Sequence, residues 1–160
     1  IALLTSTNTQ GGLAFVHEFR TAMAARGLPI ADGHIAGAWP SPTTPAASEE
    51  LRRIWQAGSP DGLLVMDAVL YRGIEPVLLH NGVRVPDDLA IATHFNRGDE
   101  RLPALPVTRL EIDPDDVAAQ YCQLLLARLE DPAHAAGGCS RVPWHVVVGK
   151  QEPLPELVTA

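Results

Sequence analysis

"GSPDGLLVMDAVLYRGIEPVLLHNGVRVPDDLAIATHFN", residues 58–96, is the stretch whose reading decides the fold. Gly58, Ser59, Pro60, Asp61 and Gly62 make a strong turn signal. Gly62 to Met66 then runs apolar without alternation, as a strand buried on both faces does. Asp67 follows at the position of a helix cap, since its carboxylate can accept from the first free amides of the helix beyond it. Pro76 is expected to kink that helix, or to split it near Gly73, because proline removes an amide and crowds the preceding turn. Gly82 ends the helix, Pro86, Asp87 and Asp88 form a turn, and Leu89–Thr93 is a second apolar strand. A charged loop, His94–Glu100, comes next. Two strands joined through one helix by short turns imply a parallel pair with a right-handed crossover.

The same alternation extends in both directions. Upstream, residues 1–5 read as a strand, residues 13–26 as a helix stopped by Gly27, and residues 34–39 as another strand. A Pro/Ser/Thr-rich loop leads from there to a short amphipathic helix carrying Leu51, Ile54 and Trp55. Downstream, a strand at 107–112 precedes a helix from Pro114 to Glu130, with proline comfortable at its first position. A final strand is expected at 144–150, then an extended tail. The expected fold class is therefore α/β, a mostly parallel sheet with helices on both faces. In such sheets ligands sit outside the carboxyl ends of the strands.

Composition narrows the function. A net charge of −7 without any Lys/Arg cluster argues against this chain contacting nucleic-acid phosphates. No apolar run approaches the roughly 18–20 residues that cross a bilayer, so no membrane role is expected. Cys122 and Cys139 make neither a disulfide framework nor a metal spacing, and Cys122 reads as a buried free thiol in a reducing cytoplasm. The six histidines pair with no ligand-spaced partner, and the glycine-rich "TQGGLAF" lacks the third glycine or the Lys-Ser/Thr of a nucleotide loop. Neither metal nor cofactor is expected. Nor is an enzyme, because no nucleophile has an evident base beside it. The tripeptide Arg97-Gly98-Asp99 reads as coincidence. The chain starts at Ile1, within a strand, and reads as an excerpt of a longer protein.

Two residues on the expected ligand edge carry two readings each. Trp39 ends a strand and precedes Pro40; it is either a core residue or a platform for a flat or sugar-like ligand. Asp67 is a cap, a ligand acceptor, or both. Trp55 and Trp144 read as core or interface residues.

The order of these pieces resembles the effector-binding domain of the LacI/GalR family of transcriptional regulators, of the periplasmic-binding-protein-like type I class. Pro60-Asp61-Gly62, Asp67, Gly73, Gly82, Arg84-Val85-Pro86 and Asp88 carry the resemblance, with one extra residue inside the helix. "IALLTSTNTQGGLAFVHEFRTAMAARGLPI" upstream, and "LPVTRLEIDPDDVAAQYCQLLLARLEDP" and "RVPWHVVVGKQ" downstream, extend it to almost the whole chain. The resemblance implies that residues 1–160 are one effector-domain fragment, the carboxyl-terminal subdomain plus a crossover helix at 114–130. It also implies an amino-terminal subdomain and a DNA-binding head lying upstream, and two subdomains that clamp a small effector.

Three departures bear on the effector. The family's effector-binding Arg falls at Phe15, its Asn-Asp pair becomes Met66-Asp67, and its Gly-aromatic-Asp-Asp loop becomes Thr93-His94-Phe95-Asn96. Trp39 matches a position where some sugar-responsive members stack an aromatic ring. The effector is thus sugar-like or a less polar, differently hydrogen-bonded molecule, or the site has ceased to bind. The expected ligand residues are Asn8, Thr9, Trp39, Asp67, His94, Phe95 and Asn96. A homodimer is expected through Val69, Leu70, Ile74, Val77 and Leu78. The primary expectation is a cytoplasmic effector-sensing and dimerisation domain whose protein reaches DNA only through its absent head. A transporter's solute-binding protein is the alternative.

Overall fold

The computed structural model describes residues 1–7, 9–37, 44–130 and 141–149. In chain order its elements are β1 (Ala2–Thr5), α1 (Gln10–Ala25), β2 (Ile35–Gly37), α2 (Thr44–Ala57) and β3 (Gly62–Val65). They continue as α3 (Ala68–His80), β4 (Ala90–Asn96), β5 (Thr108–Ile112), α4 (Pro114–Glu130) and β6 (His145–Val147). The strands form one sheet in the order β2-β1-β3-β4-β5-β6. All neighbours are parallel except β5 and β6, so the expected α/β class with a mostly parallel sheet is the one observed.

Strand alternation divides the interior in two. Ala2, Leu4, Leu63, Val65, Ile91 and Phe95 face α2 and α3, which answer with Ala47, Leu51, Ile54, Leu70, Tyr71, Ile74 and Leu78. Leu3, Leu64 and Met66 face the other way and pack with Val16, Phe19 and Met23 of α1. Helices therefore lie on both faces, as the crossover rule requires.

α2 and α3 are tied by the Ser48 hydroxyl, which donates to the Gly73 carbonyl at 2.7 Å in a buried setting. The loop after β4 is held to α3 by Glu75, whose Oε1 accepts from the Tyr71 hydroxyl and from the Ala104 amide, each at 2.7 Å. Burial and the adjacent Glu75 carboxylate push the Tyr71 phenol above its ordinary pKa, so it stays a donor. Arg72 pairs with Asp99 and lies over the Phe95 ring, 5.6 Å from its centroid.

Four expectations are corrected. α3 is not split near Gly73: it runs unbroken through Pro76, which lies on its solvent side, where water can satisfy the carbonyl that loses its amide. β4 runs on to Asn96, because β5 continues the ladder: His94, Phe95 and Asn96 pair with Leu110, Glu111 and Ile112. Cys122 is exposed, since α4 buries none of its residues. Leu70, Ile74 and Leu78 are not free to form a dimer interface: they are 1%, 0% and 0% exposed, and fill the core under α3. Of the five interface candidates, Val69 is exposed and Val77 is half-buried against the core.

This partition makes a sharp prediction. Ile74→Ala removes a fully packed side chain and should cost about 2–5 kcal/mol in urea unfolding. Val69→Asp, on the opposite side of the same helix, should change folding stability by only about 0.5 kcal/mol. Equal losses would mean that α3 is rotated from the orientation described.

Candidate functional site

The strand order reverses at β1, whose neighbours are β2 on one side and β3 on the other. A crevice opens at such a reversal, beyond the carboxyl ends of the strands. Thr9 caps α1 there, its Oγ1 accepting from the Gly12 amide at 3.0 Å. A Cβ on Gly12 would stand 1.5 Å from the Ser6 carbonyl oxygen, so only glycine lets the first turn of α1 approach the end of β1 so closely. That close approach accounts for the second glycine of "TQGG".

On the far side of the crevice, the Met66 amide donates to the Leu4 carbonyl at 3.0 Å and carries the pairing of β1 and β3 to the edge. Asp67 follows with extended backbone, φ −154° and ψ 137°, and its Oδ1 accepts from the Val69 amide at 2.6 Å. The cap occupies one oxygen only. Oδ2 has no partner among the described residues and remains available to a ligand, so the two roles coexist.

β4 contributes the next positions. Because the strand extends through Asn96, its side chains alternate, and His94 and Phe95 part company. Phe95 is 1% exposed and points into the core, edge-on to Tyr71 with centroids 5.9 Å apart. It is not a ligand residue. His94 turns to the opposite face, where its ring lies 5.2 Å from that of Trp144, tilted by 60°. Its Nε2 is buried without a hydrogen-bond partner. Burial pushes the imidazole below its ordinary pKa, and the Asp67 carboxylate opposes part of that shift. Asn96 ends β4 exposed, its carbonyl accepting from the Asp99 amide at 3.2 Å.

The structure thus gathers Thr9, Asp67, His94 and Asn96 along one edge and removes Phe95. Asn8 and Trp39 lie outside the described residues. Trp144 joins the edge unexpectedly. β6 runs antiparallel to β5 with His145 opposite Glu111, which brings the residue just before it to the carboxyl end of the sheet. Its apolar neighbours in "RVPWHVVV" hide this placement, because nothing local reveals that the last strand reverses direction. Trp144 is 44% exposed, so its indole is open to a ligand.

Compared with known proteins, residues 1–150 match the profile of the periplasmic binding protein-like domain. The chain belongs to that family. No curated protein matches it. Among solved structures, a protein described as a LacI-family transcriptional regulator from Sanguibacter keddieii is 24% identical with a TM-score of 0.72, over 93% of this chain and 58% of its own. A LacI-family regulator from Lactobacillus casei, with bound glucose, is 18% identical with a TM-score of 0.70, over 94% and 55%. A sugar-binding LacI-family regulator from Escherichia coli, complexed with phosphate, is 18% identical with a TM-score of 0.68, over 96% and 55%. The likeness is one of fold, and the chain spans about half the length of these regulators. Among the described residues no helix is long and apolar enough to cross a membrane.

The periplasmic-binding-protein-like edge has a measurable signature at His94. Its folded-state pKa lies below its unfolded value, so the unfolded chain holds the proton more tightly. Stability is therefore full above the ordinary histidine range near 6.5 and falls as pH drops through that range. Urea unfolding should show His94→Gln losing less stability than the parent between about pH 7.5 and 5.5. Identical pH dependence in the two proteins would show that His94 is not held in its neutral form.

Proposed function

We propose that this chain is the carboxyl-terminal half of the effector-sensing and dimerisation domain of a LacI-type transcriptional regulator, non-enzymatic and cytoplasmic. The observation that carries the reading is α4: none of its residues is buried, and Tyr121, Leu125, Leu126 and Leu129 are 57–70% exposed. A helix this apolar on the outside of a domain calls for a cover. A second, amino-terminal subdomain packed on α4 would supply it and close a clamp over the carboxyl edge. The incomplete coverage of the solved regulators supports the same division, and their being LacI-family proteins favours this reading over a transporter's solute-binding protein.

In this reading the effector sits between the two subdomains against Thr9, Asp67, His94 and Asn96. A ligand that prefers the closed clamp 100-fold shifts its equilibrium by about 2.7 kcal/mol. The shift moves a DNA-binding head elsewhere in the protein, so this acidic chain need not touch DNA. The outward side of α3, with Val69 and Leu79, and the neighbouring Leu102 present exposed apolar side chains for a homodimer.

The test is fluorescence anisotropy of the full-length protein with the DNA upstream of its own gene. Saturable, sequence-specific binding is expected, altered by about ten-fold by a compound that raises the protein's Tm. A protein that binds no DNA and carries a cleavable export signal would overturn the reading in favour of solute capture for transport.

A further inference from the structure

The effector-site reading leaves open what chemistry the edge selects, and the polar groups along it speak to that. Asp67 offers a carboxylate oxygen that its cap does not use. His94 offers a ring nitrogen, Nε2, buried and lacking any partner. Trp144 offers an indole that is 44% exposed and packed at a tilt against the imidazole. Two of the groups favour a positively charged donor outright, an anion and the negative face of an aromatic ring, and a neutral imidazole with its hydrogen on Nδ1 adds an acceptor at Nε2.

Most of the nearby cations are engaged or turned away. Arg97 donates to Asp113 at 3.4 Å. Arg109 donates to Glu111 at 2.9 Å, and both pair in register with the core-facing side of β4 rather than with His94. Arg72 and Arg101 line a cavity with Tyr71 and Phe95, beyond the opposite face of the sheet. Asp115 and Asp116 add further carboxylates in the first turn of α4. The loop sequences Thr5–Gly12 and Gly37–Thr43 contain neither Lys nor Arg. Arg141, exposed three residues before Trp144, is the cation that a phosphate or carboxylate could still meet, so the selection turns on the three groups themselves.

We propose that the effector carries an amino group and that Asp67, His94 and Trp144 receive it as an ammonium ion. The proposal rests on the reading of the carboxyl edge as the effector site. Asp67 Oδ2 takes the charge, His94 Nε2 accepts one N–H, and the indole face lies against the cation. For Nε2 to reach the ammonium, the indole that packs against the imidazole must move aside. No proton changes hands: the ammonium keeps its protons, and the imidazole stays neutral as an acceptor.

The experiment is calorimetric titration of the full-length protein with compounds matched in ring and differing in charge. One set is glucosamine, glucose and glucose 6-phosphate; the other is benzylamine, benzyl alcohol and benzoate. In at least one set the amine should bind about ten-fold more tightly than the alcohol, and the anion most weakly. Asp67→Asn, which keeps an oxygen for the Val69 amide, and Trp144→Ala should each erase most of that preference without changing the far-ultraviolet spectrum. Failure of both amines to bind, or tighter binding by the anion that Asp67→Asn strengthens further, overturns the ammonium assignment while leaving the effector-site reading standing. Amine binding that ignores Asp67→Asn, His94→Gln and Trp144→Ala overturns both, because the ligand then sits elsewhere.

Discussion

The pairing of β4 with β5 through Asn96 governs what this sheet can present at its carboxyl edge. A strand exposes alternate residues on alternate faces, so once His94 is placed opposite Leu110 the neighbouring side chains have no freedom of direction. Phe95 goes into the core, beneath Arg72 and beside Tyr71. His94 goes to the other face, toward the side on which Trp144 waits at the start of β6. A slip of one residue would bury the imidazole under α3 and push the phenylalanine toward solvent, exchanging a titratable edge for a greasy one.

Asp67 shows how economically the edge is built. The residue that starts α3 must be a good acceptor, because the first amides of a helix lack partners. It must also stand at the carboxyl end of β3, where a ligand would lie. One carboxylate has two oxygens and meets both needs, which is why Asp67→Asn separates charge from capping. The same helix is divided by its own periodicity: Leu70, Ile74 and Leu78 fill the core, while Val69 and Leu79 look outward. An apolar helix can thus serve the interior and still leave an apolar outer side.

Much of this was legible in the sequence. The apolar runs at 1–5 and 62–66, the turn at 58–62 and the cap at Asp67 each carry a local physical signal, and the crossover rule assembles them into the observed class. The resemblance built on Asp67, Gly73, Gly82 and Pro86 pointed to the family. The misplaced residues fail for nonlocal reasons. Whether β4 stops at Thr93 or continues to Asn96 depends on a partner strand more than ten residues later in the chain. The direction of β6, and with it the place of Trp144, depends on the whole sheet. Leu70 and Val69 are equally apolar, and only the positions of the sheet and α2 decide which of them is covered. Cys122 has apolar neighbours and reads as buried, yet among the described residues nothing buries α4.

The central claim is that the carboxyl ends of β1, β3 and β4 line a ligand site. Hydrogen–deuterium exchange of the full-length protein, with and without a compound that raises its Tm, addresses it most directly. Protection is expected in the backbone amides of residues 5–12, 66–69 and 93–97, together with α4 as the clamp closes on it. Protection confined to the opposite pole, at residues 58–61 and 82–89, with the carboxyl edge unchanged, would contradict the account.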